Sequence, residues 1–321
     1  MVGPRVGVLA YPGCFASEVY GVPDLLTMAS HVADAEPYAV TVLSPRRRVV
    51  AAGGTPIAVR PMRDVDVLVV PGFELHPRLD VDTVVARLRP EIDAIRTCAL
   101  AGTAVVSICV GAFLVAEAGL LDGRRSTTSW LFADELARRH PRVDVHPSEL
   151  VVTDSGVTTT AAFSAMYDFA LDLIRNHHGA KVARTTARIA LVDDARSSQA
   201  PYVDAGLLAT TGTAFSQSVK RWLDHHLRDP YDLTRLADTF HVSTRTLLRR
   251  FRAETGTTPL GHLQATRVRK ARHLLETTDR TVTAIAAEVG YRDPGTFTTI
   301  FTRLTACKPT TYRTTFRRSR A

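Results

Sequence analysis

Ser243-Thr244-Arg245-Thr246-Leu247-Leu248-Arg249-Arg250-Phe251 decides how the last third of this chain folds. Leu247 and Phe251 stand one helical turn apart and share a face, while Arg245 and Arg249 share another. Ser243 is a natural N-cap, because its hydroxyl can accept from a free amide of the first turn. Upstream, Leu236-Ala237 with Phe240 forms the apolar set of a shorter helix. The pattern is duplicated: Leu236-Ala237 with Phe240 recurs 49 residues on as Ile285-Ala286 with Val289, and Leu247 with Phe251 recurs 50 on as Phe297 with Phe301. One residue is therefore inserted in the second turn. Phe251-x4-Gly256-x2-Pro259 likewise echoes Phe301-x4-Ala306-x2-Pro309. The spacing predicts two helix-turn-helix units joined by one long helix, His262 to Glu276.

On the exposed face of the first unit, the guanidinium forks of Arg245 and Arg249 suit guanine O6 and N7 in a major groove. The bland alternative is a solvated arginine face. Charge speaks against it: residues from Phe215 onward carry 20 Lys and Arg against 9 Asp and Glu, a net of +11, while residues 1–214 carry 20 against 23, a net of −3. A basic helical domain beside a mildly acidic one points to an anionic polymer, although charge alone would also suit a lipid surface. Ser243 and Thr246 join this candidate DNA-facing set, with Arg250 directed to phosphate rather than base. In the second unit Asp293 caps the corresponding helix and Pro294 suits its first turn. Its exposed side offers Thr296, Thr299 and Arg303, which position more than they specify.

Residues 215 to 316 resemble the AraC/XylS type of transcriptional regulator. The resemblance is carried by the duplicated unit, Ala286 with Gly290-Tyr291, Phe297-x3-Phe301 and Pro309-x2-Tyr312-Arg313. It implies two helices entering successive major grooves about 10 base pairs apart. Ala306 replaces the usual helix-ending glycine, which predicts strain at that end.

The front of the chain reads differently. Val6-Gly7-Val8-Leu9, residues 39–43, 67–70 and 104–108 are short apolar runs rich in β-branched residues, suited to strands covered on both faces. Helical stretches at 18–28 and 83–100 separate them, so the fold class is α/β with a parallel sheet, followed by the all-α double helix-turn-helix domain. Residues 143–160 predict a hairpin around Thr153-Asp154-Ser155-Gly156, and two helices follow over 164–177 and 181–191. From 193 to 214 the pattern dissolves into Asp, Ser, Gly, Pro and Thr, the expected linker; the domains are then 1–192 and 215–321. The 321 residues, 45% hydrophobic and 22% charged, exclude a disordered chain. No run approaches a membrane span and no secretory leader opens the sequence, which predicts a cytoplasmic protein. The four cysteines lack metal-ligand spacing, so neither a metal nor another cofactor is expected. His177-His178 and His225-His226 read as solvated helix histidines rather than ligands.

Ser107-Ile108-Cys109-Val110-Gly111-Ala112-Phe113 puts a cysteine between a strand and a helix, like a nucleophile elbow, where the helix start favours thiolate. With Ala116-Glu117-Ala118-Gly119-Leu120-Leu121-Asp122-Gly123-Arg124 it is similar to the PfpI/ThiJ-like domain of the class I amidotransferase-like fold, over about residues 4 to 190. Joined to an AraC-type tail, this is the arrangement of the GlxA-type regulators. The resemblance implies an elbow Cys109 approached by Glu18. It also implies a homodimer through the front domain, a small-molecule effector or redox signal, double-stranded promoter DNA, and RNA polymerase as a further partner. Where relatives carry Thr-Thr-His-Trp, this chain has Thr127-Thr128-Ser129-Trp130. The base for hydrolysis is thus missing, which favours a sensor over the alternative, a cysteine-dependent amidase or hydratase-like enzyme tethered to DNA. Phe73 and Met166 stand where small residues would leave space, so the expected ligand pocket is lined by Cys109, Glu18, Phe73, Ser129 and Met166.

Overall fold

A computed structural model describes residues 3–74, 81–194, 196–204, 207 and 214–317. It divides into two compact units, Met1–Gln199 and Ala200–Ala321.

In the first unit the four apolar runs become Val6–Leu9, Val40–Ser44, Val67–Val70 and Ala104–Ser107, the parallel centre of a seven-stranded sheet. Val6–Leu9 lies between Val40–Ser44 and Val67–Val70, with Val8 level with both Val42 and Val69. Val67–Val70 pairs in parallel with Ala104–Ser107, which pairs in parallel with Val157–Thr160. Val6, Val8, Leu9 and Leu68 to Val70 are fully buried, as strands covered by helices on both faces require. The hairpin forms between Val151–Asp154 and Val157–Thr160, turned by Ser155 and Gly156 at φ 48° and 80°. Two successive left-handed residues match the twist of the flanking strands.

The helices differ from expectation where proline and glycine intervene. The stretch 83–100 is two helices, Val81–Arg87 and Arg89–Leu100, because Pro90 has no amide to continue the ladder and restarts it instead. The runs at 164–177 and 181–191 are halves of Ala165–Ile189, broken at Gly179 with φ 85°. Along the sheet, chain order reverses between Val6–Leu9 and Val67–Val70, so the connections leaving their carboxyl ends part in opposite directions. In open α/β sheets such a switch point leaves a crevice for ligands.

Among its described residues the second unit is entirely helical: Ala214–His225, Leu233–Thr239, Thr244–Thr255, Pro259–Thr277, Val282–Glu288, Pro294–Thr305 and Pro309–Phe316. Asp232, Ser243, Thr258, Thr281 and Asp293 each cap a helix start by accepting from a backbone amide. Each repeat has its own core, one around Leu236, Leu247 and Phe251, the other around Ile285, Phe297 and Phe301. The long helix ties the repeats together through Arg267. Its buried guanidinium donates to the carbonyls of Leu227 and Asp229 at 2.8 and 2.6 Å and lies 5.1 Å from the Tyr291 ring centre. A guanidinium removed from water needs such acceptors. Gly256 and Ala306 end the second helix of each repeat at φ 71° and 57°, so alanine does occupy a left-handed cap.

Residues 193–214 straddle the division between the units, and 195, 205, 206 and 208–213 lie outside the described residues. Before the division, Arg196 pairs with Asp168 and donates to the Ser164 hydroxyl at 3.0 Å. After it, Arg272 donates to the Pro201 carbonyl at 2.8 Å, and the Tyr202 ring meets Phe316 edge-on at 5.1 Å.

Candidate functional site

Cys109 follows the strand Ala104–Ser107 at φ 53°, a left-handed conformation rare for a side-chain-bearing residue. The turn can be this tight because of Gly111: a Cβ there would stand 2.5 Å from the Val70 carbonyl oxygen and 2.6 Å from that of Pro71. Gly72 opens the next space, since a Cβ there would lie 3.2 Å from both the Cys109 Cβ and Glu18 Oε2. Glu18, on the helix Ala16–Ala33, is fully buried and accepts the Gly72 amide through Oε2. Its Oε1 has no partner among the described residues. Burial pushes its pKa up to about 7 against the pull of that amide.

The thiol does not follow the sequence expectation. Burial, and then the Glu18 charge, push the Cys109 pKa up to about 12, while backbone groups of Val110 and Phe163 and the Ser129 side chain pull it down. The elbow is therefore a neutral thiol near pH 7. The helix that follows, Ala112–Glu117, is six residues long and cannot offset the loss of water around the sulfur. Ser129 offers no base for a hydrolytic step.

The residues of the expected pocket are withdrawn from solvent. Cys109, Glu18, Phe73, Ser129 and Met166 are all buried, with Met166 at 1% exposure. Met166 is core: its Cε would lie 2.9 Å from a Cβ on Gly21, filling the gap between Ala16–Ala33 and Ala165–Ile189. The bulk that the sequence places at positions 73 and 166 is buried in the core of the first unit. The cover over the elbow has a partner that sequence reading missed. The Gln199 amide donates to the Thr128 carbonyl at 2.8 Å and accepts the Trp130 amide at 3.1 Å, while the Thr128 hydroxyl donates to the Cys109 carbonyl at 2.8 Å. Gln199 is the last residue of the first unit. No periodicity marks a contact across some 70 residues of chain.

In the second unit, Arg245 and Arg249 are exposed on Thr244–Thr255 and form no hydrogen bond or ion pair among the described residues. Arg250 differs: Nε donates to Glu254 at 2.8 Å and the guanidinium sits 4.1 Å from the Phe215 ring centre. Ser243 accepts the Thr246 amide at 3.2 Å and donates to its hydroxyl at 2.9 Å, so both fix the helix start. On Pro294–Thr305, Thr296 donates to Asp293 at 2.7 Å and Thr299 to the Gly295 carbonyl at 3.1 Å, both still exposed. Arg303 donates to Gln264 at 2.7 Å. Arg292, exposed beside the Asp293 cap, was passed over in the sequence; a cation flanking a helix start was its signal. His177 and His178 lie against the Tyr38 ring, and the described residues contain no acidic, His or Cys cluster fit for a metal.

A helix-turn-helix domain family matches residues 236–315, and the DJ-1/PfpI family matches residues 28–176. The chain is 29% identical over 259 residues to the HTH-type transcriptional regulator CdhR of Pseudomonas aeruginosa, covering 78% of this chain and 73% of that protein. It is 42% identical over 82 residues to the HTH-type transcriptional activator RhaS of Escherichia coli, 26% of this chain and 30% of that one. Among solved structures, an AraC family transcriptional regulator from Pseudomonas putida aligns at 22% identity and a TM-score of 0.49, covering 58% of this chain and 98% of that one.

Proposed function

This chain belongs to the AraC-type helix-turn-helix transcriptional regulators that carry a DJ-1/PfpI domain, and from that premise we propose which residues read DNA and what the front unit does for them. The protein binds DNA as a regulator and is not an enzyme. Arg245 and Arg249 read base edges in one major groove, and Arg250 braces the helix against Phe215. Ser243 and Thr246 hold its start at the phosphates. Thr296, Thr299, Arg303 and Arg292 seat the second helix in the next groove, with few base-specific contacts. The observation that carries this reading is the pair of guanidiniums one turn apart, exposed and without intramolecular partners among the described residues, on a helix where the neighbouring Arg250 is engaged.

Residues 1–192 serve as the sensing and dimerising part, working in the cytoplasm where promoter DNA and RNA polymerase are met. The route from sensor to tail is the bonded path from Cys109 through Thr128 to Gln199, from which the chain leaves the first unit. The test is genome-wide DNA capture with the wild-type protein, Arg245→Ala and Arg249→Ala. Each variant is expected to lose preference at one base position, by about 1–3 kcal/mol, while keeping general affinity. Identical motifs from all three proteins would contradict the assignment of this helix.

A further inference from the structure

Beside Phe73, among the described residues, the first unit also leaves open space. A cavity of about 520 Å³ opens at the carboxyl ends of Val6–Leu9 and Val67–Val70, the two strands between which chain order reverses. Pro12 and Gly13 leave the first of these strands to form one wall, and Phe73 and Glu74 leave the second to form another. Val84, Arg87 and Leu88 from the helix Val81–Arg87 and the residue after it complete the lining. The volume is that of a small-molecule site, and the position is where doubly wound sheets bind ligands.

Its charges are unequally engaged. Arg46, also in the lining, gives Nε to Glu91 Oε1 at 2.5 Å and Nη2 to Glu91 Oε2 at 3.1 Å and the Arg87 carbonyl at 2.7 Å. Glu91 is fully buried, so this pair neutralises itself and holds the wall in place. Nη1 of Arg46 and the whole guanidinium of Arg87 have no partner among the described residues, and Glu74 forms no ion pair there. Unpaired planar donors thus outnumber the one free carboxylate, over a lining that is otherwise Phe, Val, Leu, Pro and Gly. A guanidinium fork fits a carboxylate in two parallel hydrogen bonds. Glu74 opposes a second negative charge, which disfavours phosphate.

We propose that this crevice binds a small monocarboxylate with an apolar body, its head on Arg87 and its tail against Phe73, Val84 and Leu88. The inference rests on the front unit being a sensor, and it names the ligand class. Gly72, the residue before Phe73, donates to Glu18 and abuts Cys109, so an occupant pressing on Phe73 acts next to the elbow.

The test is calorimetric titration of the full chain with hexanoate, hexanamide and hexylamine as probes, with thermal unfolding of each variant as a control for folding. Hexanoate is expected to bind at least about tenfold more tightly than hexanamide, with no binding of hexylamine. Arg87→Ala should remove the preference for hexanoate, Glu74→Gln should strengthen it, and Val84→Trp should block both acid and amide by filling the space. No binding of hexanoate at millimolar concentration, equal binding of the amide, or an unchanged preference in folded Arg87→Ala overturns the proposal. Operator affinity measured with and without hexanoate separates the two readings. Arg87-dependent binding with unchanged operator affinity keeps the site and refutes the sensing role.

Discussion

Glu18 is the residue whose chemistry depends most on its surroundings. Its pKa of about 7 lies above the roughly 4.3 of an unfolded chain, so the folded state keeps this proton while the unfolded state has lost it. Folding stability contributed by this group is therefore present at low pH and is lost as pH rises from about 4.3 to about 7, by on the order of 3 kcal/mol. Glu18→Gln keeps the carbonyl that accepts the Gly72 amide and removes the ionisation. Urea unfolding across this range should lose most of its pH slope in the variant. Asp168, raised to about 6 by burial against the pull of Arg196, supplies a remaining slope of the same sign. An unchanged profile in Glu18→Gln would mean that this carboxyl is ionised in the folded protein at mildly acidic pH. Cys109, held as a neutral thiol, reacts slowly with electrophiles at pH 7 for the same reason, burial.

At the scale of elements, the two repeats share a pattern but not their joints. Gly290 stands at φ 89°, and a Cβ there would lie 2.8 Å from the Leu227 carbonyl oxygen and 2.9 Å from the Arg228 Cα. Backbone cannot yield as a flexible side chain would, so Gly290→Ala should destabilise the second unit by about 2 kcal/mol or more and loosen the grip of Arg267 between the repeats. Ala306→Gly should do the reverse, by about 1 kcal/mol, because glycine meets no penalty at φ 57°. Chemical denaturation followed by the helical signal checks both; a neutral Gly290→Ala would show that the joint opens without loss. The elements themselves were legible in the sequence. The β-branched runs around Val8, Val42, Val69 and Val106 announced the parallel sheet, and the 49- and 50-residue offsets announced the duplicated helix pairs. The break at Leu88 followed from Pro90, a local cause that a pattern of apolar periodicity overlooks. Less legible was everything made by side chains from distant segments: the packing of Met166 at Gly21, the Gln199 bonds, and the Arg46–Glu91 pair beside the cavity. Such contacts leave no period in the chain and appear only when the sheet brings its carboxyl ends together.

The whole molecule divides its charge as it divides its work. The +11 excess from Phe215 onward should supply general affinity for phosphate that weakens steeply with added salt, while residues 1–214, at −3, add nothing to it. Within the second unit the Arg267 bonds and the Arg228–Glu288 ion pair hold one helix-turn-helix to the other. The most direct measurement is a hydroxyl-radical footprint of the purified full-length protein on its strongest captured site. Two protected patches per protomer, about 10 base pairs apart on one face of the duplex, with the patch at Arg245 and Arg249 lost in the double alanine variant, is the predicted result. A single patch, or two patches indifferent to both arginines, would contradict the account.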